Sequence, residues 1–117
     1  MAQVNIFDHS TTFDSFTAGQ TIFSNSDIGK NMYVVLDGEV EIFVKEKLVE
    51  TAGPGSIIGE LALIEPDHVR SATAVAKTDC KLEPVDEKRF RFLVHETPYF
   101  ALQVMQVMAD RLRRWSM

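Results

Sequence analysis

The order of hydrophobic and polar positions divides the chain into two parts. From about Phe16 to Val85, short apolar runs are separated by Gly, Pro, Asn and Asp at intervals of roughly 8–12 residues, which is typical of a sandwich or jelly-roll barrel. MYVVLDGEVEIFV holds two such runs around Asp37-Gly38, a pair that favours a tight hairpin. Further strands are predicted within FTAGQTIFSNSD, LVETA, RSATAVAK and CKLEPV, and KEK is predicted to be an exposed tip.

Helical spacing begins at Asp86, beyond which there is no glycine. Asp86 is a candidate N-cap for a helix through EKRFRFLVHE, and Thr97-Pro98 is a start signal for a second helix. The first helix is expected to bury a face of Phe90, Leu93 and Val94. The second is expected to bury one apolar stripe made of Ala101, Val104, Met105, Met108, Leu112 and Trp115.

The predicted fold class is therefore mainly β with flanking helices. A β-roll, a double-stranded β-helix jelly roll, is expected over about 16–85, with C-terminal helices over about 86–115. At 117 residues, the chain is expected to form a single domain over 1–117, with no DNA-binding or catalytic domain.

Composition narrows the class of protein. Cys80 is the only cysteine, so no internal disulfide or cysteine metal cluster can form, and a reducing, cytoplasmic location is expected. The formal charge of −5 argues against broad nucleic-acid binding, which depends on many Lys and Arg. MAQVNIFDHS lacks the features of a signal peptide, and no apolar run is long enough to span a membrane.

The segment GELALIEPDHVRSAT places Glu60 and Arg70 among small and apolar residues. Burying either charge alone is costly, so the two either pair with each other or receive a ligand. A short helical turn after Gly59 would present free N–H groups that favour a phosphate, and Arg70 offers a planar fork for two phosphate oxygens. An ionised Glu60 only accepts hydrogen bonds, which suits a sugar hydroxyl. Together these features describe a site for a nucleotide whose phosphate lies near its sugar.

Gly59-Glu60-Leu61-Ala62-Leu63 and Arg70-Ser71-Ala72-Thr73 resemble the phosphate-binding cassette of the cyclic nucleotide-binding domain family. AGQTIFSNSDIGKNMYVVLDGEVEIF is similar to the opening strands of that family's cAMP receptor protein-like β-roll. The resemblance implies that the glutamate accepts the ribose 2′-hydroxyl, that the arginine pairs with the cyclic phosphate, and that cassette amides complete the pocket. The implied ligand-binding residues are Gly59, Glu60, Leu61, Ala62, Arg70, Ser71 and Ala72.

The resemblance also bears on which ligand binds. Ser71 stands where cGMP-selective kinase sites of the family typically carry Thr, which favours cAMP over cGMP, and a cyclic dinucleotide stays open. Trp115 and Ser116 are placed where the family's lid or base contacts occur. An aromatic residue at the end of such a stripe could instead belong to the core or to a dimer contact.

The leading hypothesis is a stand-alone cyclic nucleotide-binding regulatory module, not an enzyme, that signals by moving its terminal helices. Its expected partners are the nucleotide, an unidentified effector protein and, as an option, a second copy in a homodimer, with no membrane or nucleic acid. One alternative is a ligand-free family member that acts as a protein-interaction or dimerisation domain. Another is a small metal-dependent enzyme on the same roll.

Other reactive residues receive simpler interpretations. His9, His68 and His95 are scattered without a His-x-His pair, so neither a metal site nor a cofactor is expected, and His68 is interpreted as a solvated loop residue. Cys80 is interpreted as a small buried hydrophobe. The arginines at the end of the chain, Arg111, Arg113 and Arg114, are explained by the helix macrodipole and do not make a nucleic-acid patch.

Overall fold

The computed structural model describes residues 13–115, which form eight strands and three helices. The strands are β1 (Asp14–Phe16), β2 (Thr21–Phe23), β3 (Met32–Asp37), β4 (Val40–Val44), β5 (Lys47–Ala52), β6 (Ile57–Ile58), β7 (Thr73–Ala76) and β8 (Cys80–Val85). The helices are α1 (Glu60–Ile64), α2 (Glu87–Glu96) and α3 (Tyr99–Trp115). The predicted fold class, mainly β with C-terminal helices, is confirmed.

The strands form two four-stranded antiparallel sheets. Their orders are β1-β8-β3-β6 and β2-β7-β4-β5, so strands that follow each other along the chain often lie in different sheets. The predicted hairpin around Asp37-Gly38 is therefore wrong, because β3 pairs with β6 and β8 while β4 pairs with β5 and β7. Gly38, with φ 86°, carries the chain from one sheet to the other, and a Cβ there would lie 2.3 Å from the carbonyl oxygen of Asp79.

A genuine hairpin joins β4 and β5. Its two-residue turn, Lys45-Glu46, has positive φ values of 52° and 67°, as a type I′ turn requires. The expected exposed tip is thus confirmed for these two residues, while Lys47 already belongs to β5. The hairpin is relevant to the site because its second strand, β5, carries the buried side chain of Glu50.

Two hydrophobic clusters hold the layers together. The first lies between the sheets and includes Phe23, Ile42 and Leu82, together with Cys80, whose buried position confirms the prediction. The second joins one sheet to α1 and α3. Trp115, at the end of α3, packs against the first cluster. Helix α3 therefore starts on the second cluster and ends on the first.

The helices start close to the predicted positions. Asp86 caps α2 by accepting a 2.8 Å hydrogen bond from the backbone N–H of Arg89. Phe90, Leu93 and Val94 pack against the second cluster as predicted. None of the helices in the described part of the chain is long and apolar enough to cross a bilayer.

The predicted stripe on α3 is partly wrong. The buried residues of α3 are Phe100, Val104, Val107 and Arg111, whereas Met105 is 52% exposed and Leu112 is 73% exposed. Apolar residues occupy two adjacent faces of this helix, so periodicity does not specify which face packs inward. The inward face carries Arg111, and the explanation of this arginine by the macrodipole alone is therefore also wrong.

Candidate functional site

Glu60 opens helix α1 and is 2% exposed. Gly59 precedes it in the left-handed conformation, with φ 75°, and among the described residues no side chain caps this helix. The Glu60 carboxylate does not pair with Arg70. Its Oε1 accepts a 2.7 Å hydrogen bond from Nη1 of Arg111. The alternative of a Glu60–Arg70 ion pair is therefore wrong, and the partner of Glu60 comes from the C-terminal helix.

Arg111 joins two buried carboxylates. Its Nε and Nη2 donate to the two oxygens of Glu50 at 3.0 and 2.9 Å, while Nη1 donates to Glu60. Burial disfavours the charged guanidinium, but Glu60 and Glu50 more than offset it, and the pKa of Arg111 is raised above its ordinary value. Arg114 adds a 3.0 Å hydrogen bond to Glu50 and also binds Asp110. This ion network fastens the end of α3 to β5 and α1.

Arg70 is held separately and is 4% exposed. Its Nη1 and Nη2 donate to the carbonyl oxygens of Gly59 and Asn31 at 3.0 and 2.6 Å, and its guanidinium lies 4.1 Å from the centre of the Phe23 ring. Burial lowers the pKa of Arg70, although nearby groups including Asp27 oppose the effect. An arginine has five N–H donors, so these two contacts leave donors for an anion.

Two glycines make room for the Arg70 side chain. A Cβ on Gly29 would lie 2.3 Å from Nε of Arg70, and a Cβ on Gly59 would lie 2.5 Å from Nη1. Gly59 is one of the predicted ligand-binding residues, and in the structure its missing Cβ also admits the guanidinium.

The loop between α1 and Arg70 is tied back to the helix. His68, with φ 55°, donates from Nδ1 to the carbonyl oxygen of Ala62 over 2.8 Å. His68 is half-buried, so its interpretation as a solvated loop residue is wrong. Arg70 itself precedes the strand that was expected to begin with it, because β7 starts at Thr73. This irregular stretch allows Arg70 to turn inward while Ser71 stays exposed.

The predicted ligand-binding residues line one small cavity. Its volume is about 20 Å³, and its lining consists of Phe23, Ile42, Gly59, Glu60, Leu61, Ala62, Arg70, Ser71, Ala72 and Trp115. All seven cassette residues and the lid candidate Trp115 are thus brought together. Phe23 and Ile42 were missed, because their hydrophobic character on strands indicates only a core. Ser116 lies outside the described residues.

An open groove adjoins this cavity. It has a volume of about 370 Å³ and shares Glu60, Leu61, Ser71 and Trp115 with the cavity. Ligand pockets usually measure roughly 300–1,000 Å³, so the groove has a suitable size and the cavity does not. The indole N–H of Trp115 is buried and has no hydrogen-bond partner among the described residues. Trp115 thus lines both the cassette cavity and the groove.

Glu50 and Arg111 are the charged residues of this region that the sequence interpretation missed. The hydrogen bonds between them join positions 61 residues apart, so no local motif could reveal the pair. One signal was available, since Val104, Val107 and Arg111 follow helical spacing and place the arginine on the buried face. Within residues 13–115, no group of three or more potential metal-binding side chains occurs, while His9 lies outside that range.

The fold and this cavity define a jelly-roll domain with a buried acidic and a buried basic residue at one pocket. Residues 13–97 match the model of the cyclic nucleotide-binding domain. Because the match covers well over half of the chain, the chain belongs to the cyclic nucleotide-binding domain family.

Relatives with known roles include two kinds of regulator. Over 73 residues the chain is 45% identical to the cAMP-dependent protein kinase regulatory subunit of Eremothecium gossypii, covering 62% of this chain and 16% of that protein. Over 104 residues it is 29% identical to the CRP-like cAMP-activated global transcriptional regulator of Mycobacterium tuberculosis, covering 85% and 46%. The crystal structure of the Thermus thermophilus catabolite activator protein matches with a TM-score of 0.76 at 29% identity, covering 89% and 52%. The chain thus spans about half, or less, of the length of these relatives.

Proposed function

We propose that the chain is a regulatory module that binds a cyclic nucleotide, cAMP in preference to cGMP, at the cassette cavity, and that it is not an enzyme. The observation that carries this proposal is the presence of two buried, oppositely charged side chains, Glu60 and Arg70, at one cavity without contact between them. Glu60 would accept the ribose 2′-hydroxyl. Arg70 and the backbone amides of Gly59, Leu61, Ala62, Ser71 and Ala72 would hold the cyclic phosphate.

We assign cAMP in preference to cGMP because Ser71 stands where cGMP-selective kinase sites of the family typically carry Thr. Ser71 is exposed at the rim of the cavity, where its hydroxyl and its backbone N–H can reach an entering phosphate. Two of the relatives are cAMP-dependent or cAMP-activated regulators. A cyclic phosphate and an adenine base are therefore the ligand groups that we assign to this site.

Trp115 would act as the lid. The cavity is too small for a nucleotide while Trp115 lines it, so ligand entry requires this side chain to move. Movement into the groove would join the two spaces and let the indole cover the base, with Ser116 as a polar contact. Since Trp115 ends α3, its displacement would move the C-terminal helix, and this motion would signal to an effector protein.

Titration with cAMP is expected to change the fluorescence of the protein, because Trp115 is its single tryptophan. Saturation should also stabilise the fold, by about 2.7 kcal/mol when the ligand is at 100 times its dissociation constant. Emission spectra and calorimetric melting measure the two effects. cGMP and 5′-AMP serve as controls and should require higher concentrations. Absence of both effects at millimolar cAMP would contradict the proposal and favour the ligand-free interaction domain.

The exposed face of α3 supports a homodimer. Leu102, Met105, Ala109 and Leu112 are exposed at alternating spacings of three and four residues, the a/d pattern of a two-stranded coiled coil. Such a seam is self-complementary, so we propose a second copy of this chain as its partner.

Leu112→Glu is expected to convert this dimer into a monomer, because it places a charge in the seam. Light scattering after size-exclusion chromatography measures the mass, with Arg91→Glu on the exposed side of the neighbouring helix α2 as a control outside the seam. A wild-type mass equal to one chain at high micromolar concentration would rule out the dimer.

A further inference from the structure

Glu50 is a buried carboxylate outside the cassette. It lies on β5, its side chain is 2% exposed, and it accepts hydrogen bonds from Nε and Nη2 of Arg111 and from Nη2 of Arg114. Burying a carboxylate is costly unless its charge is compensated. The free-energy cost of burying the Glu50 carboxylate is offset by Arg111, which also binds Glu60.

The geometry of the Arg111 guanidinium follows from Glu50. Two parallel hydrogen bonds, of 3.0 and 2.9 Å, join one side of the guanidinium to both oxygens of Glu50. A two-point contact of this kind sets the plane and direction of the fork. With Nε and Nη2 engaged, Arg111 reaches Glu60 through Nη1 alone and binds only its Oε1.

This arrangement matters for the acceptor capacity of Glu60. A carboxylate has two oxygens with about four acceptor positions. The single contact from Arg111 neutralises the charge of Glu60 and occupies one position on Oε1, so Oε2 stays available for another donor. Glu60 lines both the cavity and the adjoining groove, where an incoming sugar would have to lie.

Loss of the charge at Glu50 would change how Arg111 distributes its hydrogen bonds between Glu50 and Glu60. Glu60 would become the one buried anion within reach of Arg111, and the guanidinium would be free to turn its two-point contact onto both oxygens of Glu60. A sugar hydroxyl would then compete with an ionic pair. Arg114 would not prevent this turn, because it keeps its own hydrogen bond to Asp110.

We infer that Glu50 is a positioning residue for nucleotide binding. By holding Arg111 from the side, Glu50 keeps one oxygen of Glu60 free for the ribose 2′-hydroxyl. The inference rests on the proposed function and adds a residue that no cassette motif contains.

Glu50→Gln tests this role with two ligands, cAMP and 2′-deoxy-cAMP. The wild type is expected to prefer cAMP by about tenfold or more, since only cAMP donates a hydrogen bond to the charged Glu60. In Glu50→Gln the affinity for cAMP should fall by about the same factor, while that for 2′-deoxy-cAMP should change little. The preference of the variant should therefore approach one. Isothermal titration calorimetry measures both affinities.

A purely structural role for Glu50 predicts a different result. If the variant simply loosens the site, both ligands weaken by the same factor, the preference is unchanged, and the inference is wrong. Glu41→Gln, which removes the same charge from the neighbouring strand β4, should leave both affinities unchanged. If the wild type binds neither ligand, the proposed function fails together with the inference, whereas equal weakening overturns the inference alone.

A conservative variant keeps the test decisive if Glu50→Gln does not fold. Glu50→Asp retains the charge but is one methylene shorter, so it loses the two-point contact and leaves Arg111 free to turn toward Glu60. Its preference for cAMP over 2′-deoxy-cAMP should therefore fall below that of the wild type. Circular dichroism of each variant establishes that it is folded, and an unchanged preference in folded Glu50→Asp, with both affinities reduced, would overturn the inference.

Discussion

Arg70→Ala is expected to weaken cAMP binding by about tenfold or more. Charge-assisted hydrogen bonds contribute about 1.5–3 kcal/mol each, and the variant removes the guanidinium donors that we assign to the cyclic phosphate. Isothermal titration calorimetry measures the affinity. The variant also loses the hydrogen bonds to Gly59 and Asn31 and the contact with Phe23, so its melting temperature is measured in parallel.

Two further variants separate the role of Arg70 in binding from its role in packing. Arg70→Lys keeps the charge but loses the fork that reaches two carbonyl oxygens, so it should bind cAMP more weakly than the wild type and more strongly than Arg70→Ala. Arg91→Ala, on the exposed side of α2, removes an arginine that is 77% exposed and should leave binding unchanged. An unchanged affinity in folded Arg70→Ala would show that the phosphate is not bound here.

Arg111→Ala is expected to have the largest effect on stability, a loss of about 3–5 kcal/mol in the free energy of unfolding. The variant leaves Glu50 and Glu60, both buried, without the guanidinium that joins them. It also removes the cation beside the Trp115 ring, whose centre lies 5.2 Å away, so the end of α3 should detach and the tryptophan emission should shift to the red. Urea unfolding measures the free energy.

The matched control for this prediction is on the same turn of helix. Arg113→Ala removes a side chain that is 75% exposed and should change the free energy of unfolding by no more than about 0.5 kcal/mol. If Arg111→Ala lowers the free energy of unfolding by an amount as small as that, the ion network contributes little to stability. In that case, the docking of α3 would depend on its apolar contacts alone.

The two buried charges of the cassette could be identified from the sequence because their chemistry is local. Glu60 and Arg70 lie ten residues apart in one short segment. The helical turn, loop and strand around them are indicated by residues that are adjacent along the chain. Their actual partners could not be identified in the same way. Glu60 binds an arginine 51 residues later, and Arg70 binds the carbonyl of Asn31, 39 residues earlier.

For the strands, too, the sequence indicated the position of each element but not its partner. Apolar runs located β3 and β4 on either side of Asp37-Gly38, but such a run is compatible with any neighbouring strand that covers its apolar side chains. The turn residue Gly38 permits a positive φ and does not select a partner strand. Pairing in two separate sheets depends on contacts from β6, β7 and β8, which come much later in the chain.

By itself, the sequence determined the position of most strands and helices, the mainly β class and the cassette with its two charged residues. Each of these depends on interactions among residues close together along the chain. Only the tertiary structure decided which sheet each strand joined, which face of α3 was buried, and that Arg111 joins Glu50 to Glu60. Helix α3 carries two apolar faces, so its orientation depends on the surface against which it packs. An arginine is buried there because two distant carboxylates compensate its charge.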